Sequence, residues 1–439
     1  MASTKRSVGL ITIESGVGID MNNKKITSLT DPPTVTSDLA TKKYVDDYTS
    51  IVVAGDGESQ PILRQITGNT LQLKGVKGIG YVLDSDLTNV YINYNTFYGS
   101  YPENYMDVTT YSGLHAGNKY FGSTLSPNGK IYFLPAQDTT IMILDPISKI
   151  LDSTTITSNG LGAFSSSVMT PGGMMNVFPS AGTTIFIVDT FNQTLDSTTL
   201  NGTILSTATL LKPNLAPNGK IYTIDYTGTT AFIFDPVTHV IDTTSIVITS
   251  SGTESKWGDG VLAPNGKIYY PPDRQTTVLI LDTLTNTADS TTISGFAAVG
   301  TQKYQGGVLA LNDKIYFAPF VYSLILIIDP STNTADTTTL VTATPTFGTS
   351  NWNEGVLAPS GKLYFAPVQC SAVLIIDPDA NTTDTSTILV AGGWNSNILA
   401  SDGNLYFGPK DADNVGVLMT GAPKAGVSWN RLLSVYQNK

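Results

Sequence analysis

The residues with the clearest chemical potential are aspartates that recur at two fixed positions along the chain. One set ends an apolar run, and the other opens a threonine-rich segment a few residues later. The sets are Asp145, Asp189, Asp235, Asp282, Asp329 and Asp377, then Asp152, Asp196, Asp242, Asp289, Asp336 and Asp384. Paired carboxylates could hydrolyse a glycosidic bond or bind calcium. A catalytic pair should occur once, however, so capping of turns by aspartate explains these recurring pairs better.

A second recurring feature is an aromatic residue five positions before a leucine or methionine. These aromatic residues are Tyr120, Phe164, Trp257, Tyr304, Trp352 and Trp394, with Leu210 as the exception. Rings at one level of a repeating fold could form a platform on which the C–H faces of sugars stack. Polar residues that could then bond the sugar hydroxyls are Lys256, Asp259, Gln305, Asn353, Glu354 and Asn395. Packing between repeated units is the alternative interpretation of the aromatic residues.

The chain offers little material for histidine or cysteine chemistry. Its two histidines, His115 and His239, fall at different positions of the repeat and share no obvious carboxylate partner. Its single cysteine, Cys370, excludes an intrachain disulfide and a cysteine-rich metal site. We therefore predict no catalytic residue, no metal site and no cofactor.

The charge balance and the apolar runs argue against two further classes of protein. The 439 residues include 24 Lys and Arg against 35 Asp and Glu, a formal net charge of −11. A nucleic-acid-binding protein would normally carry a basic surface that neutralises phosphates. The longest apolar run, residues 324–328, is far shorter than the ~20 residues of a membrane-spanning helix. We expect neither nucleic-acid binding nor membrane insertion.

These residues belong to a repeat that decides the fold. The segment 262–270, Leu-Ala-Pro-Asn-Gly-Lys-Ile-Tyr-Tyr, recurs closely at 125, 215 and 357 and more loosely at 169, 309 and 399. The turn residue of each copy lies 42 to 48 residues from the next, at Gly129, Gly173, Gly219, Gly266, Asp313, Gly361 and Gly403. Seven units of this length indicate an array of similar modules.

Each unit predicts four short strands. In the fourth unit, Pro264-Asn265-Gly266 forms a tight turn between the first strand and the second, 267–270. The apolar run 278–281 suits a third strand buried on both faces, and the threonine-rich 288–293 suits a half-exposed fourth strand. Four antiparallel strands every 45 residues or so describe the blade of a β-propeller. The fold class is therefore all-β, a seven-bladed β-propeller with four-stranded blades over residues 105–439.

The seventh unit lacks its fourth strand within the repeat region. Residues 106–111, Met-Asp-Val-Thr-Thr-Tyr, precede the first unit and match the fourth-strand pattern of 335–340. We predict that this segment completes blade 7 and joins the two ends of the ring, which removes an exposed sheet edge.

Residues 1–50 carry a second kind of pattern. Asp-Met-Asn-Asn at 20–23 is followed by Ala-Thr-Lys-Lys-Tyr-Val-Asp at 40–46. This resembles a recurrent segment of bacteriophage and large DNA virus tail fibres and spikes, over residues 18–47. The resemblance implies attachment to a virion tail, baseplate or capsid protein and trimerisation. The matching residues are Asp20, Met21, Asn22, Asn23, Ile26, Leu29, Asp31, Pro32, Lys43, Tyr44 and Val45.

The residues before the propeller also favour an oligomer on physical grounds. Ser37 or Asp38 could cap a helix that begins at Leu39, but about ten residues make no stable helix alone in water. Residues 51–104 are rich in predicted strands and glycine turns and resemble the β-rich neck or shaft of viral fibres. Partner chains would stabilise both pieces, so we expect a small oligomerisation region of strands and a short helix. A β-rich linker in a monomer is the alternative.

The loops between second and third strands differ from unit to unit, which is typical of recognition on a rigid scaffold. The best individual candidates in them are Arg274, Phe320, Tyr322 and Lys410. A sialidase would need an arginine cluster, yet Arg274 is the only arginine between Arg64 and Arg431.

The sequence therefore predicts a non-enzymatic viral tail fibre or spike that is located in the virion. It would be a homotrimer that binds a host-surface glycan or protein receptor through its propeller. A propeller depolymerase or lyase that acts on surface polysaccharide is one alternative. A structural decoration protein of the virion without a receptor is another.

Overall fold

The computed structural model describes residues 104–114, 119–137, 139–157, 164–180, 184–196, 209–249, 255–297, 302–342 and 350–421, and the backbone of six short strands before residue 95. The chain divides into two compact units, Met1–Gly99 and Ser100–Lys439. No helix in these described parts is long and apolar enough to cross a membrane.

The six short strands of the first unit form three antiparallel pairs. The pairs are Ile19–Asp20 with Lys25–Ile26, Ser50–Ala54 with Pro61–Gln65, and Ile79–Leu83 with Val90–Tyr94. Among the predicted virion-attachment residues, only Asp20 and Ile26 lie in these strands; the others, and the helix predicted from Leu39, lie outside the described residues. Virion attachment, trimerisation and the boundary at residue 50 remain predictions.

The second unit contains seven four-stranded antiparallel sheets within the described residues, which confirms the seven-bladed propeller. Blades 1 and 2 consist of Tyr120–Leu125, Ile131–Pro135, Thr140–Asp145 and Ile150–Thr157, then Phe164–Met169, Met174–Pro179, Phe186–Asp189 and Thr194–Asp196. Blades 3 and 4 consist of Asn214–Leu215, Ile221–Ile224, Ala231–Asp235 and Val240–Asp242, then Val261–Leu262, Lys267–Tyr270, Leu279–Asp282 and Thr287–Asp289. Blades 5 and 6 consist of Tyr304–Leu309, Ile315–Pro319, Leu326–Asp329 and Thr334–Asp336, then Trp352–Leu357, Leu363–Pro367, Leu374–Asp377 and Thr382–Asp384. The first three strands of blade 7 are Trp394–Leu399, Leu405–Pro409 and Asn414–Met419.

The fourth strand of blade 7 comes from the other end of the chain. Tyr105–Ser112 pairs antiparallel with Asn414–Met419, in the place that the sequence predicts for residues 106–111. Asn104 precedes this strand with a φ of 63°, as Asn286 does in blade 4 with a φ of 53°. The backbone before the closing strand therefore has the same conformation as the backbone before the fourth strand of blade 4, where the chain is continuous.

Where a unit has it, the repeated Pro-Asn-Gly-Lys-Ile-Tyr segment joins that blade to the next. Gly266 has a φ of 76°, which the tight turn requires, and Asp313 takes the same conformation with a φ of 62° where the glycine is missing. The Asn265 amide donates to the Pro330 carbonyl of blade 5 (3.0 Å), and the Tyr269 hydroxyl donates to Asn333 Oδ1 (2.7 Å). Conserving this segment from unit to unit thus conserves the joint between blades.

The core lies between the sheets. Ile131 and Leu363 open second strands that are buried at every position, in blades 1 and 6. Buried side chains of neighbouring blades share clusters, such as Tyr132 of blade 1 with Phe164 of blade 2. Because each such side chain contributes roughly 1.5–3 kcal/mol, packing between blades is the main stabilising term.

The recurring aspartates cap turns, as their repetition in the sequence predicts. Asp152 Oδ1 accepts the backbone N–H groups of Thr154 (2.8 Å) and Thr155 (3.2 Å), and the Thr155 hydroxyl bonds the other carboxylate oxygen. Asp107 in the closing strand makes the same contacts with Thr109 and Thr110. The hydrogen bond from the Thr155 hydroxyl is the main cause that lowers the pKa of Asp152 to about 2.

These aspartates should make the propeller sensitive to acid. The pKa values of Asp152, Asp242, Asp289 and Asp336 fall to about 2, below the ~3.9 of an unfolded chain. Their contribution is therefore present above about pH 4 and is lost as the pH falls towards 2. We expect the urea midpoint to decrease over this interval, and less steeply in Asp289→Asn. A midpoint that stays constant from pH 4 to 2 would contradict this prediction.

Candidate functional site

The propeller has two unlike faces. Tyr120 at the start of a first strand pairs with Pro135 at the end of a second, so first strands begin where the loops between second and third strands lie. We call this end the loop face. The opposite end, the turn face, carries the tight turns between first and second strands and between third and fourth strands. Asn104 donates its backbone N–H to the Met419 carbonyl (2.9 Å), so the chain enters the propeller at the turn face.

The six recurring aromatic side chains lie at the loop-face ends of the first strands, but they are buried. Their exposed fractions are 3% or less, for Tyr120, Phe164, Trp257, Tyr304, Trp352 and Trp394. The indole N–H groups donate to backbone carbonyls, Trp257 to Thr277 (2.9 Å) and Trp352 to Ala372 (2.8 Å). Because no ring face is open to a ligand, the structure favours the packing interpretation over the sugar platform.

The polar residues proposed to assist that platform mostly bond one another around the channel. Asn353 Nδ2 donates to Asn395 Oδ1 of the next blade (3.0 Å), and Asn395 Nδ2 donates to the Phe121 carbonyl of blade 1 (3.0 Å). The Asp259 backbone N–H donates to the Gln305 carbonyl (2.6 Å). These contacts connect the innermost strands of neighbouring blades.

One ion pair crosses the channel from blade 3 to blade 6. Lys212 Nζ lies 2.5 Å from Glu354 Oε1, and both side chains are mostly buried, with exposed fractions of 14% and 12%. Asp259 of blade 4 lies beside the pair and accepts the Lys212 backbone N–H at 2.9 Å. Burial raises the pKa of Asp259 to about 6, opposed by this bond and by the Lys212 charge. The adjoining cavity measures about 30 Å³, the room of one water molecule.

The four candidate loop residues are partly exposed on the loop face. Lys410 lies over the Phe121 ring, with its Nζ 5.9 Å from the ring centroid. Tyr322 packs edge-on against the buried Tyr304, with ring centroids 6.5 Å apart. Arg274 belongs to blade 4, Phe320 and Tyr322 to blade 5, and Lys410 to blade 7. The structure therefore places three of the four on adjacent blades.

A cavity of about 170 Å³ lies beside Tyr322, between the end of blade 4 and blade 5. Its lining includes two partly exposed aromatic rings, three polar side chains and the buried Tyr304, namely Phe296, Tyr322, Ser294, Thr337, Lys303 and Tyr304. Aromatic walls with a few polar groups are typical of sites that bind ring-shaped ligands. Of the sequence candidates, this cavity unites Tyr304 and Tyr322.

The cavity adjoins a cluster of basic residues in an acidic protein. Lys303 is 1% exposed and donates from Nζ to the Asp273 carbonyl (3.1 Å). Burial lowers the pKa of Lys303 and raises that of Asp273, and each charge opposes the shift of the other. Arg274 and the buried Lys256 add positive charge nearby, and the Arg274 backbone N–H lies 3.2 Å from the Lys256 carbonyl. Asp225 acts on Lys256 as Asp273 acts on Lys303, so three basic groups stand against two carboxylates and the net charge is small and positive. An anionic group on a ligand would be favoured at this corner of the loop face.

Sequence reasoning missed Phe296 and Lys303. One signal for the lysine was present, because a lysine directly precedes the recurring aromatic residue in three units, as Lys119, Lys256 and Lys303. All three lysines are 1% exposed, so this position places buried positive charge at the loop face. Phe296 stands outside the repeat and gave no signal.

Of the two histidines, His239 lies within the described residues. His239 lies in a turn with a φ of 58° and stacks on Phe234, whereas His115 lies outside the described residues. Among the described residues, no three His, Cys, Asp or Glu side chains approach closely enough to hold a metal ion.

The chain is similar in fold to several solved propellers. A streptogramin B lyase structure gives a TM-score of 0.59 at 13% identity, over 73% of this chain and 99% of that chain. Virginiamycin B lyase from Staphylococcus aureus gives 0.59 at 12% identity, over 72% and 99%. The WD40 β-propeller domain of Doa1 gives 0.53 at 13% identity, over 72% and 97%. No family model and no curated protein matches the chain. At these identities the similarity shows the propeller fold alone.

Proposed function

We propose that the protein is a viral tail fibre or spike that binds a host-surface glycan through the loop face of its propeller. Residues 1–50 attach a homotrimer to a virion tail, baseplate or capsid protein, and residues 51–104 form the neck. The resemblance of residues 18–47 to fibre segments supports the viral part of this proposal.

The observation that carries the glycan-binding part is the cavity between Phe296 and Tyr322. Its two partly exposed aromatic side chains could hold the C–H faces of one sugar ring, and Ser294 and Thr337 offer hydroxyl groups to its polar edge. Lys303 and its basic neighbours favour an acidic sugar.

Trimerisation would strengthen a weak single site. Tethered sites raise avidity by about 10²–10⁴ when they can bind simultaneously. Mass measurement in solution tests this part directly: a trimer supports the proposal, and a monomer contradicts both the fibre assignment and the gain in avidity.

The site itself is tested with an array of neutral and acidic glycans. We expect saturable binding of an acidic glycan by the full chain, and at least about a fivefold loss of affinity in Tyr322→Ala and in Phe296→Ala. Val247→Ala, which changes a 75% exposed side chain on blade 3, is the matched control and should bind normally. Normal binding by both cavity variants would contradict the site.

The enzyme alternative is separated by incubating the protein with host envelope polysaccharide. New reducing or unsaturated ends would show a depolymerase or lyase and would contradict a purely adhesive role. The cluster of Lys212, Asp259 and Glu354 adjoins a cavity of about 30 Å³, which is too small for a polymer. Absence of glycan or cell binding by a folded trimer would instead favour a structural decoration protein.

A further inference from the structure

Blade 2 departs from the repeat at three neighbouring positions on the turn face. Gly172, Met174 and Asn176 stand where blade 1 has Asn128, Lys130 and Tyr132. In blade 1 the asparagine and the tyrosine make the hydrogen bonds to the next blade. Tyr132 Oη donates to the Thr190 carbonyl of blade 2 (2.9 Å), and Asn128 Nδ2 donates to the same carbonyl (2.7 Å). Blade 2 has neither side chain to offer to blade 3.

A cavity of about 430 Å³ occupies the resulting gap between blades 2 and 3. Its walls include Met174, Asn176 and Ile187 of blade 2 and Pro236 and His239 of blade 3. Pro236 is the counterpart of Pro330 in blade 5, whose carbonyl accepts the Asn265 amide in the intact joint. The cavity therefore lies where the repeat normally places a phenol ring and an amide.

Ile187 gives an independent sign that this space is open. It pairs with Asn176, as Ile280 pairs with Tyr269 in blade 4. Its counterparts opposite tyrosines are buried, with Ile143 3% and Ile280 5% exposed, whereas Ile187 is partly exposed. In other blades a tyrosine ring covers the apolar surface that is uncovered on Ile187.

The third departure removes a positive charge. In blades 4 and 5 the lysine at this position pairs with the aspartate that ends the third strand, Lys267 with Asp282 (3.5 Å) and Lys314 with Asp329 (3.6 Å). Met174, 36% exposed, replaces that lysine opposite Asp189. The backbone N–H of Asn192 is the main cause that lowers the pKa of Asp189, so the carboxylate is ionised at neutral pH. The cavity thus has apolar walls and an acidic rim that includes Asp196.

We propose that this cavity is a binding site for a small ligand that carries a phenol ring and a protonated amine. The ring takes the place of the missing tyrosine against Ile187 and Pro236, and its hydroxyl donates to the Pro236 carbonyl. The ammonium takes the place of the missing lysine beside Asp189. This site is on the face opposite the glycan cavity and does not depend on the proposed function.

Tyramine is the probe for this site, because it joins a phenol to a primary amine through two methylene groups. A ligand of this size should bind the full chain with a dissociation constant on the order of 1–10 mM, measured by ligand-observed NMR titration. p-Cresol, which lacks the amine, should bind about fivefold more weakly. Equal affinity for the two probes would overturn the role of Asp189, and absence of saturable tyramine binding would overturn the site.

Two variants restore the repeat and should abolish or weaken binding. Asn176→Tyr supplies the ring that blades 1 and 3 to 7 carry at this position, so it should fold and lose tyramine binding. Met174→Lys should weaken tyramine binding about fivefold and leave p-cresol binding unchanged. Ser331→Tyr adds a tyrosine to the same face on blade 5 and is the matched control with unchanged binding. Unchanged tyramine binding by a folded Asn176→Tyr would place the ligand elsewhere and overturn the proposal. If Asn176→Tyr does not fold, Met174→Lys tests the proposal separately.

Discussion

A chain that lacks residues 1–112 is expected to be unable to form the closed propeller. The deletion removes Tyr105–Ser112 and leaves Asn414–Met419 as an exposed edge of blade 7. It also removes Tyr111, which is 6% exposed and packs against Tyr406 with ring centroids 6.4 Å apart. Met106 and Val108 of the same strand pack against the core. A fully buried side chain of this size contributes about 1.5–3 kcal/mol, and the partly buried Met106 and Val108 add to the contribution of Tyr111. Their combined loss is a large fraction of the roughly 5–15 kcal/mol that stabilises a typical domain.

The matched control is a chain that lacks residues 1–100. It keeps Asn104 and the closing strand, and the compact unit begins at Ser100. We expect this shorter deletion to give a folded protein with a cooperative urea transition, whereas the longer one gives aggregated or unfolded material by size-exclusion chromatography and circular dichroism. A soluble product of the longer deletion with a cooperative transition would show that closure by this strand is dispensable.

The second large effect is expected from Lys212→Met in the channel. The substitution removes the ammonium that pairs with Glu354 and whose charge also acts on Asp259, so both carboxylates lose the positive charge that compensates them. Removal of one member of a buried ion pair costs about 3–5 kcal/mol. We expect a loss of about 3 kcal/mol in the free energy of unfolding at pH 7, measured by urea denaturation.

The loss of stability in Lys212→Met should depend on the pH and on the presence of the Glu354 carboxylate. The folded pKa of Asp259, about 6, lies above its unfolded value, so its burial costs stability as the pH rises from about 4 to above 6. The effect of Lys212→Met should therefore be smaller at pH 5 than at pH 7. The double variant Lys212→Met, Glu354→Gln should recover part of the loss, because one uncompensated charge disappears.

Lys220→Met is the control for the loss of a lysine. Lys220 lies 4.0 Å from Asp235 and its side chain is 47% exposed, so its pair should contribute less than about 1 kcal/mol. If Lys212→Met proved as mild as Lys220→Met, the channel pair would have no special role in stability.

Most of the fold could be predicted from the sequence because its rules are local. Turn chemistry at Pro264-Asn265-Gly266 and the alternation of the strands recur in each unit, and the period between units indicates a ring of blades. Even the closing strand follows from a local pattern, the Asp-x-Thr-Thr of 107–110. Apart from the period itself, each of these features depends on residues a few positions apart.

The sites could be predicted only in part, because they depend on contacts between blades. Lys212 and Glu354 are 142 residues apart in the sequence. The repeat predicts how deep each lies in the channel, but it does not predict that the two side chains meet across it. The repeat gives the aromatic positions, but only the structure shows that neighbouring blades bury the rings. The three departures in blade 2 are visible in the sequence as Gly172, Met174 and Asn176, but only the structure shows that they leave a cavity.

The pairing of Tyr105–Ser112 with Asn414–Met419 also constrains biosynthesis. Ribosomes add about 5–20 residues per second, so the early strand waits roughly 15–60 s before its partner is translated. During that interval its edge is free to capture the corresponding late strand of another nascent copy. Since an exchanged strand would complete the ring equally well, blade 7 is the place where intertwined chains would arise during assembly.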